Sequence, residues 1–146
     1  MGLGTKPLAK EDVMDPLQFA AAMAKAAAMS DIVIHEDLEK GAKILKDSAQ
    51  DAIGTYKFGW PPLGPDAVAR HGDTPLLETG ALKGSIEYEV GATDAWVGTN
   101  DYKAKWQEFG TSRGIPPRPV LGGAVTHEAG KIEELVVASA AKIFKP

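Results

Sequence analysis

Apolar residues recur along this chain with two different periods, and one long stretch obeys neither. Ile34, Leu38, Ala42, Leu45, Ala49 and Ala52 return at three- and four-residue steps. That spacing predicts an amphipathic helix over Ile34–Ile53. Glu36, Asp37, Glu39, Lys40, Lys43 and Lys46 fill most of the remaining positions and read as its solvated face. Glu39 stands four residues before Lys43, the favourable order for a helical ion pair. Gly54 is a natural C-terminal stop. Upstream, Asp15-Pro16 is a start signal, with Asp as N-cap and Pro at the first helical position. The run from there to Met29 is alanine-rich and has high helix propensity. Ser30-Asp31 is expected either to break this helix from the next or to bend one helix made of both.

Both periods fail from Thr55 to Thr79. Gly59, Pro61, Pro62, Gly64, Pro65, Gly72 and Pro75 forbid long regular elements there. A long loop over 55–79 is therefore expected. A loop of that length inside a compact domain tends to be functional, disordered or ordered by a partner. Trp60, Leu63 and Leu76 are apolar enough to dock somewhere. Thr79-Gly80-Ala81-Leu82 then opens a short turn, with Thr79 as its cap and Gly80 allowing a tight backbone.

Ser85–Val90 alternates as a strand, with Ile86, Tyr88 and Val90 on one face and Glu87 and Glu89 on the other. Gly91–Asp94 is a turn and Ala95–Gly98 the return strand, which completes a hairpin. Asn100-Asp101 caps a short helix, Tyr102–Phe109. Tyr102, Trp106 and Phe109 share one side of it, and core packing is the expected role of these aromatics. Gly110–Pro119 reads as an extended arm. A last helix is expected over Leu121–Phe144, its apolar face Leu121, Val125, Ile132, Leu135, Val136, Ala140 and Ile143. The fold class that follows is α+β: long N-terminal and C-terminal helices packed on a small antiparallel sheet, with long Pro/Gly-rich loops. Residues 1–146 form one domain, and residues 1–12 read as a flexible arm. A lone two-stranded hairpin is marginal in water, which hints at strands supplied by the loop or by a neighbouring subunit.

Composition narrows the chemistry. The 146 residues are 44% hydrophobic, with a formal charge of −4. One modest core is affordable at this size. A mildly acidic total argues against a dedicated nucleic-acid binder, which usually carries a basic stripe. Absence of cysteine removes disulfides and thiolate chemistry and fits a reducing compartment. No charged segment followed by an apolar one marks a secretory signal at the N-terminus. Leu17–Met29 is interrupted by Gln18 and Lys25 and is too short to span a bilayer.

Catalytic signatures are missing from the sequence. His35-Glu36 and His127-Glu128 lack the second histidine of a zinc-binding HExxH pair. Ser48, Ser85, Ser112 and Ser139 lie in no Gly-x-Ser-x-Gly elbow, and there is no phosphate-binding loop. Lys103, Lys105, Arg113 and Arg118 form a sparse basic set near Tyr102 and Trp106. In Pro116-Pro117-Arg118-Pro119 the prolines hold the chain extended and remove backbone donors. Arg118 within it is a long anchor able to make bidentate contacts. The arm fits two roles equally: reaching a neighbour, or a rigid linker that delivers Leu121 to the last helix.

The order of these pieces carries a resemblance. Trp-x-Pro-Leu (Trp60–Leu63) is followed by Pro-Leu-x-x-Thr-Gly-x-Leu-x-x-Ser-Ile (Pro75–Ile86) and Val-Gly-Thr (Val97–Thr99). Tyr102, Glu-Phe-Gly-Thr (Glu108–Thr111) and Pro-x-Arg-Pro-x-Leu (Pro116–Leu121) complete the set. This series resembles the tail-completion and virion-morphogenesis proteins of tailed bacteriophages, in both their HK97-type and Mu-type branches. It covers roughly Thr55 to Phe144. Lys103 departs from the pattern, which has a small residue after the Tyr.

The resemblance implies a non-enzymatic structural subunit of the virion, without cofactor or metal. It implies a homo-oligomeric ring, hexameric, at the head–tail junction, assembled in the bacterial cytoplasm. Its partners would be the head–tail connector or adaptor, the tail tube or terminator, and double-stranded DNA passing non-specifically through the lumen, with no membrane. Trp60, Leu63, Thr79, Gly80, Glu108, Phe109, Gly110, Thr111, Pro117, Arg118 and Pro119 are the expected interface residues, with Glu87 and Glu89 facing the lumen. Arg118→Ala is then expected to weaken assembly and largely spare the folded monomer. Two alternatives stand beside this reading. One is a non-virion adaptor binding through the proline-rich loops. The other is a small metal-dependent hydrolase using His71, Asp73 and His127.

Overall fold

A computed structural model describes residues 15–144; the arm expected over residues 1–12 lies outside them. The element order is α1 (Pro16–Ala52), α2 (Pro65–His71), α3 (Ala81–Ser85), β1 (Ile86–Val90), β2 (Ala95–Thr99), α4 (Lys103–Phe109) and α5 (Leu121–Phe144). The α+β architecture of long terminal helices on a two-stranded antiparallel sheet is present.

Helix α1 starts where the sequence placed it. The Asp15 carboxylate accepts from Leu17 N (2.8 Å) and Gln18 N (3.0 Å), and Gln18 reaches back to the Asp15 amide, closing a capping box. Of the two outcomes expected at Ser30, a break or one helix made of both, the single helix is found. The Ser30 hydroxyl donates to the Ala27 carbonyl at 2.8 Å, a contact made within the helix. The helix runs on through the β-branched Ile32-Val33-Ile34 despite their lower helix propensity, and α1 is continuous for 37 residues. It stops at Gly54, whose φ of +87° suits glycine. The Gly54 amide donates to the Pro75 carbonyl at 2.7 Å, tying the helix end to the later loop. Continuity also lengthens the apolar run, so α1 is long and apolar enough to cross a membrane by length and composition alone. The length argument made against Leu17–Met29 as a span therefore falls.

Helix α5 packs antiparallel along the C-terminal part of α1. Gly41 faces Leu135 and Ile132 of α5, close enough that a Cβ there would touch both side chains. Two carboxylates are buried in this seam, Asp37, which was expected on a solvated face, and Glu128. Asp37 is only 6% exposed and accepts from Ser139 and Lys142 of α5 and from Lys40 one turn along. Burial pushes its pKa up, but these three donors outweigh burial and hold it below the ordinary value. Glu128 pairs with Lys131 at 3.0 Å, with Lys57 at 4.0 Å. Lys131 is the main cause of a lowered Glu128 pKa; Ser48, beside it without a formed hydrogen bond, adds to the effect against the cost of burial.

The face α5 turns inward thus includes Ala124, Glu128, Ile132, Leu135 and Ser139. Val125, Val136 and Ala140, expected inside, are exposed. This helix carries apolar residues on two sides, and the side packed on α1 is the one that also places Ser139 and Lys142 against Asp37. The N-terminal part of α1 extends beyond this packing, and Leu17, Phe19, Met23 and Ile32 on it are exposed.

The hairpin register pairs Ile86 with Thr99, Tyr88 with Val97 and Val90 with Ala95 on the face toward α1. Glu87 opposite Gly98 and Glu89 opposite Trp96 occupy the outer face. The core gathers Ala49 and Ala52 of α1 and Ile53 just after it with Trp60, Ile86, Val120 and Ala124.

The 55–79 stretch is not structureless, contrary to expectation. Pro65 starts α2, Asp66 lies in its first turn and Arg70 in its last, charges that complement the helix dipole. Gly72, at φ +78°, closes it by donating to the Val68 carbonyl at 2.8 Å.

Candidate functional site

The sequence-selected segments meet at one end of the molecule, where α1, the 55–79 stretch, α4 and the start of α5 converge. Three side chains do most of the joining. The Trp60 indole, buried, donates to the Pro119 carbonyl at 3.1 Å. Arg118, 6% exposed, donates from Nε and a terminal nitrogen to the Pro61 carbonyl (3.1 and 3.0 Å), and also to the Pro62 carbonyl at 3.2 Å. The planar guanidinium is suited to such a fork of acceptors.

Glu108 completes the frame. One carboxylate oxygen accepts from Val120 N (2.8 Å) and Leu121 N (3.1 Å), the other from Gly122 N (2.7 Å). These are amides at the start of α5 that have no intrahelical partner. A side chain at the end of α4 therefore caps a helix twelve residues on, and its negative charge sits at the positive end of the dipole.

Between them the Gly110–Pro119 segment is closed upon itself. Thr111 N donates to the Ile115 carbonyl at 2.9 Å, and Arg118 N returns to the Gln107 carbonyl at 2.6 Å. Gly110, at φ +71°, lies so near the Ile115 carbonyl and Pro117 ring that no side chain would fit. The expectation of an extended arm is thus corrected. Two ends pinned to α4 and α5 make a compact loop, and the prolines stiffen it in place.

The expected interface residues now divide. Trp60, Glu108, Gly110, Arg118 and Pro119 make their principal contacts inside their own chain. So Arg118→Ala should unsettle the monomer itself, against the expectation drawn from the sequence. Thr111 belongs to the loop closure. Leu63 is half-buried and its amide donates to the Tyr56 hydroxyl at 3.3 Å. Thr79 is exposed and its hydroxyl accepts from Ala81 N beside Gly80, φ +79°. Pro117 is exposed, and Phe109 is 75% exposed. Glu87 and Glu89 are exposed on the outer face of the hairpin.

Leu63, His71, Leu76, Thr79 and Lys103 help line a cleft of about 330 Å³ beside this frame. Leu76 there holds φ +65°, a left-handed conformation uncommon outside glycine. Gln107, on the same wall, has a buried side-chain oxygen without a hydrogen-bond partner.

The residues of the hydrolase alternative are occupied separately. His71 faces Glu78 at 3.8 Å, Asp73 accepts from the Tyr56 hydroxyl, and His127 stacks on Phe58 at 5.4 Å between ring centroids. Among the described residues, no group of three or more His, Asp or Glu side chains is placed to hold a metal ion.

What sequence reading missed lies on α4. Tyr102 is 69% exposed and Trp106 45% exposed, with their rings edge to face at 5.4 Å. With Phe109 they form an uncovered aromatic row rather than a core face. The signal was present in the length of the element: a helix of two turns between a hairpin and a pinned loop has one side available for burial, and Gln107 and Glu108 take it. No family model, curated protein or solved structure matches this chain.

Proposed function

We propose that this chain is a structural ring subunit of a tailed-phage head–tail junction, joining tail to head and leaving a lumen for DNA. One observation carries the reading: the ordered motifs that resemble the tail-completion proteins interlock in space. Trp60 binds Pro119, Arg118 binds Pro61 and Pro62, and Glu108 caps the helix that follows the arginine motif. Segments almost sixty residues apart therefore act as one unit, which gives a physical reason for them to occur together and in order. A subunit of this kind needs a rigid frame and uncovered contact surface, not a catalytic group. The aromatic row on α4 and the exposed apolar residues of α1 and α5 offer such surface. Acidic Glu87 and Glu89 suit a lumen through which phosphates must slide without being held.

The test is electron microscopy of intact particles, with this chain located in the map. A symmetric ring of it between portal and tail is the expected result. Particles without the chain would overturn the proposal. One observation favours a second reading, a membrane-attached adaptor: the apolar, exposed N-terminal part of α1. Flotation of the full chain with lipid vesicles separates the two, because the ring subunit stays with the unbound fraction.

A further inference from the structure

We infer that α4 of one copy docks on the outer side of α5 in the next copy, a contact that rests on the ring reading and says how the ring is joined. On α4 the aromatic row Tyr102, Trp106, Phe109 follows a four-then-three spacing, so all three point to one side. At 3.6 residues per turn, Lys103 and Lys105 fall on either side of that row. Arg113 follows in the pinned loop. All three cations are exposed, and none makes an ion pair among the described residues. Of the carboxylates adjoining the row in sequence, Asp101 accepts from Lys103 N, and Glu108 is held by three amides of α5.

The matching surface is on α5. Val136, Val137 and Phe144 are exposed on the side away from α1. Glu133 lies among them by helical spacing and Glu134 at their margin, both exposed. Neither forms an ion pair among the described residues. The cations of this helix are already engaged, Lys131 with Glu128 and Lys142 with Asp37. One molecule thus carries an aromatic row flanked by cations and, elsewhere, an apolar patch carrying carboxylates, none of them in an ion pair among the described residues. Apolar contact supplies the attraction, and the charges set orientation and partner choice.

Two different patches that fit each other form a head-to-tail contact, which closes into a ring or runs on as a filament. Three aromatics of this exposure offer roughly 300–400 Å², about half of the ~800 Å² each partner gives to a standard interface. A single contact of this kind is weak. Closure, in which every copy makes two, is what stabilises the assembly.

Sedimentation velocity on the full chain at low ionic strength, from micromolar to millimolar, tests the inference. The variants are Lys103→Glu with Lys105→Glu, Glu133→Lys with Glu134→Lys, and all four together. All sites are exposed, and circular dichroism checks that each variant is folded. The expected result is self-association that salt disperses, weakened about tenfold or more by either reversed pair and regained when both are combined. Association that neither reversal changes overturns the α4–α5 contact while leaving a self-assembling subunit in place. A chain that stays monomeric throughout also overturns it, and the particle map then decides the ring reading separately.

Discussion

The frame around Arg118 and the surface of α4 are joined by Glu108 and Phe109, adjacent residues with opposite fates. Glu108 gives its carboxylate to three amides at the start of α5, while Phe109 has nothing over it. The contrast extends to both regions. Loops rich in proline and glycine, which sequence marks as candidates for reaching outward, are tied to their own chain through Trp60, Thr111 and Arg118. Regular helices, which sequence marks as core, leave aromatic and aliphatic residues in solvent. In this molecule irregular backbone needs internal partners to be held at all. A helix satisfies its own backbone and is free to present side chains.

The largest test of that contrast is Arg118→Ala. It removes three charge-assisted bonds and leaves the Pro61 and Pro62 carbonyls without their donor. A loss of about 3–5 kcal/mol is expected, since each such bond and each orphaned group is worth ~1–3 kcal/mol and the effects overlap. Denaturant unfolding measures it. A variant as stable as the parent would show that the frame is held by apolar contact alone. Glu108→Ala should cost less, about 2 kcal/mol, the upper range for a helix cap. Fraying of α5 at Leu121 and Gly122, read by amide exchange, would accompany it.

Acid should act on the other seam, between α1 and α5. Asp37 and Glu128 both have lowered pKa values in the fold. The native state then binds fewer protons than the unfolded chain in the carboxylate range. Their contribution is present above the ordinary carboxylate pKa and is lost as pH falls through the lower folded values. Thermal stability is expected to hold from neutral pH to about pH 5 and to decline below it. Asp37→Asn with Glu128→Gln should flatten that decline. They should also cost about 1–3 kcal/mol at neutral pH, because Lys142 and Lys131 lose their partners. An unaltered acid slope in the double variant would assign the loss to other carboxylates.

Much of the fold was legible because its signals are local. Asp15-Pro16 and Gly54 mark the two ends of α1 and the alternation Ile86-Tyr88-Val90 names β1, each from a few residues, and both elements formed there. The continuity of α1 was less legible, because Ser30 can bond either inside or outside a helix. Helix α2 was hidden by the prolines around it, although Pro65 is at the one helical position that favours proline. The site was legible as a set of segments and not as a set of roles. Trp60, Glu108 and Arg118 were singled out as interface residues, but whether a buried donor finds its acceptor in its own chain or a neighbour's is a property of tertiary geometry. The same limit applies to Asp37, whose neighbours Ser139 and Lys142 lie more than a hundred residues away.

The smallest expected change in stability comes from the exposed row itself. Phe109→Ser and Trp106→Ser alter side chains that are half to three-quarters exposed, so each should shift unfolding by about 0.5 kcal/mol or less. If the proposed ring role holds and α4 is its contact surface, the same substitutions should greatly reduce incorporation of the chain into particles, measured by complementation of a phage lacking it. The comparison is sharpest when both readouts are taken on one variant. Arg118→Ala should lower stability and incorporation together, because a loosened frame misplaces α4. Phe109→Ser should lower incorporation alone. A Phe109→Ser chain that unfolds several kcal/mol more easily would mean that this ring packs internally. The distinction between frame and surface at residues 108 and 109 would then be wrong.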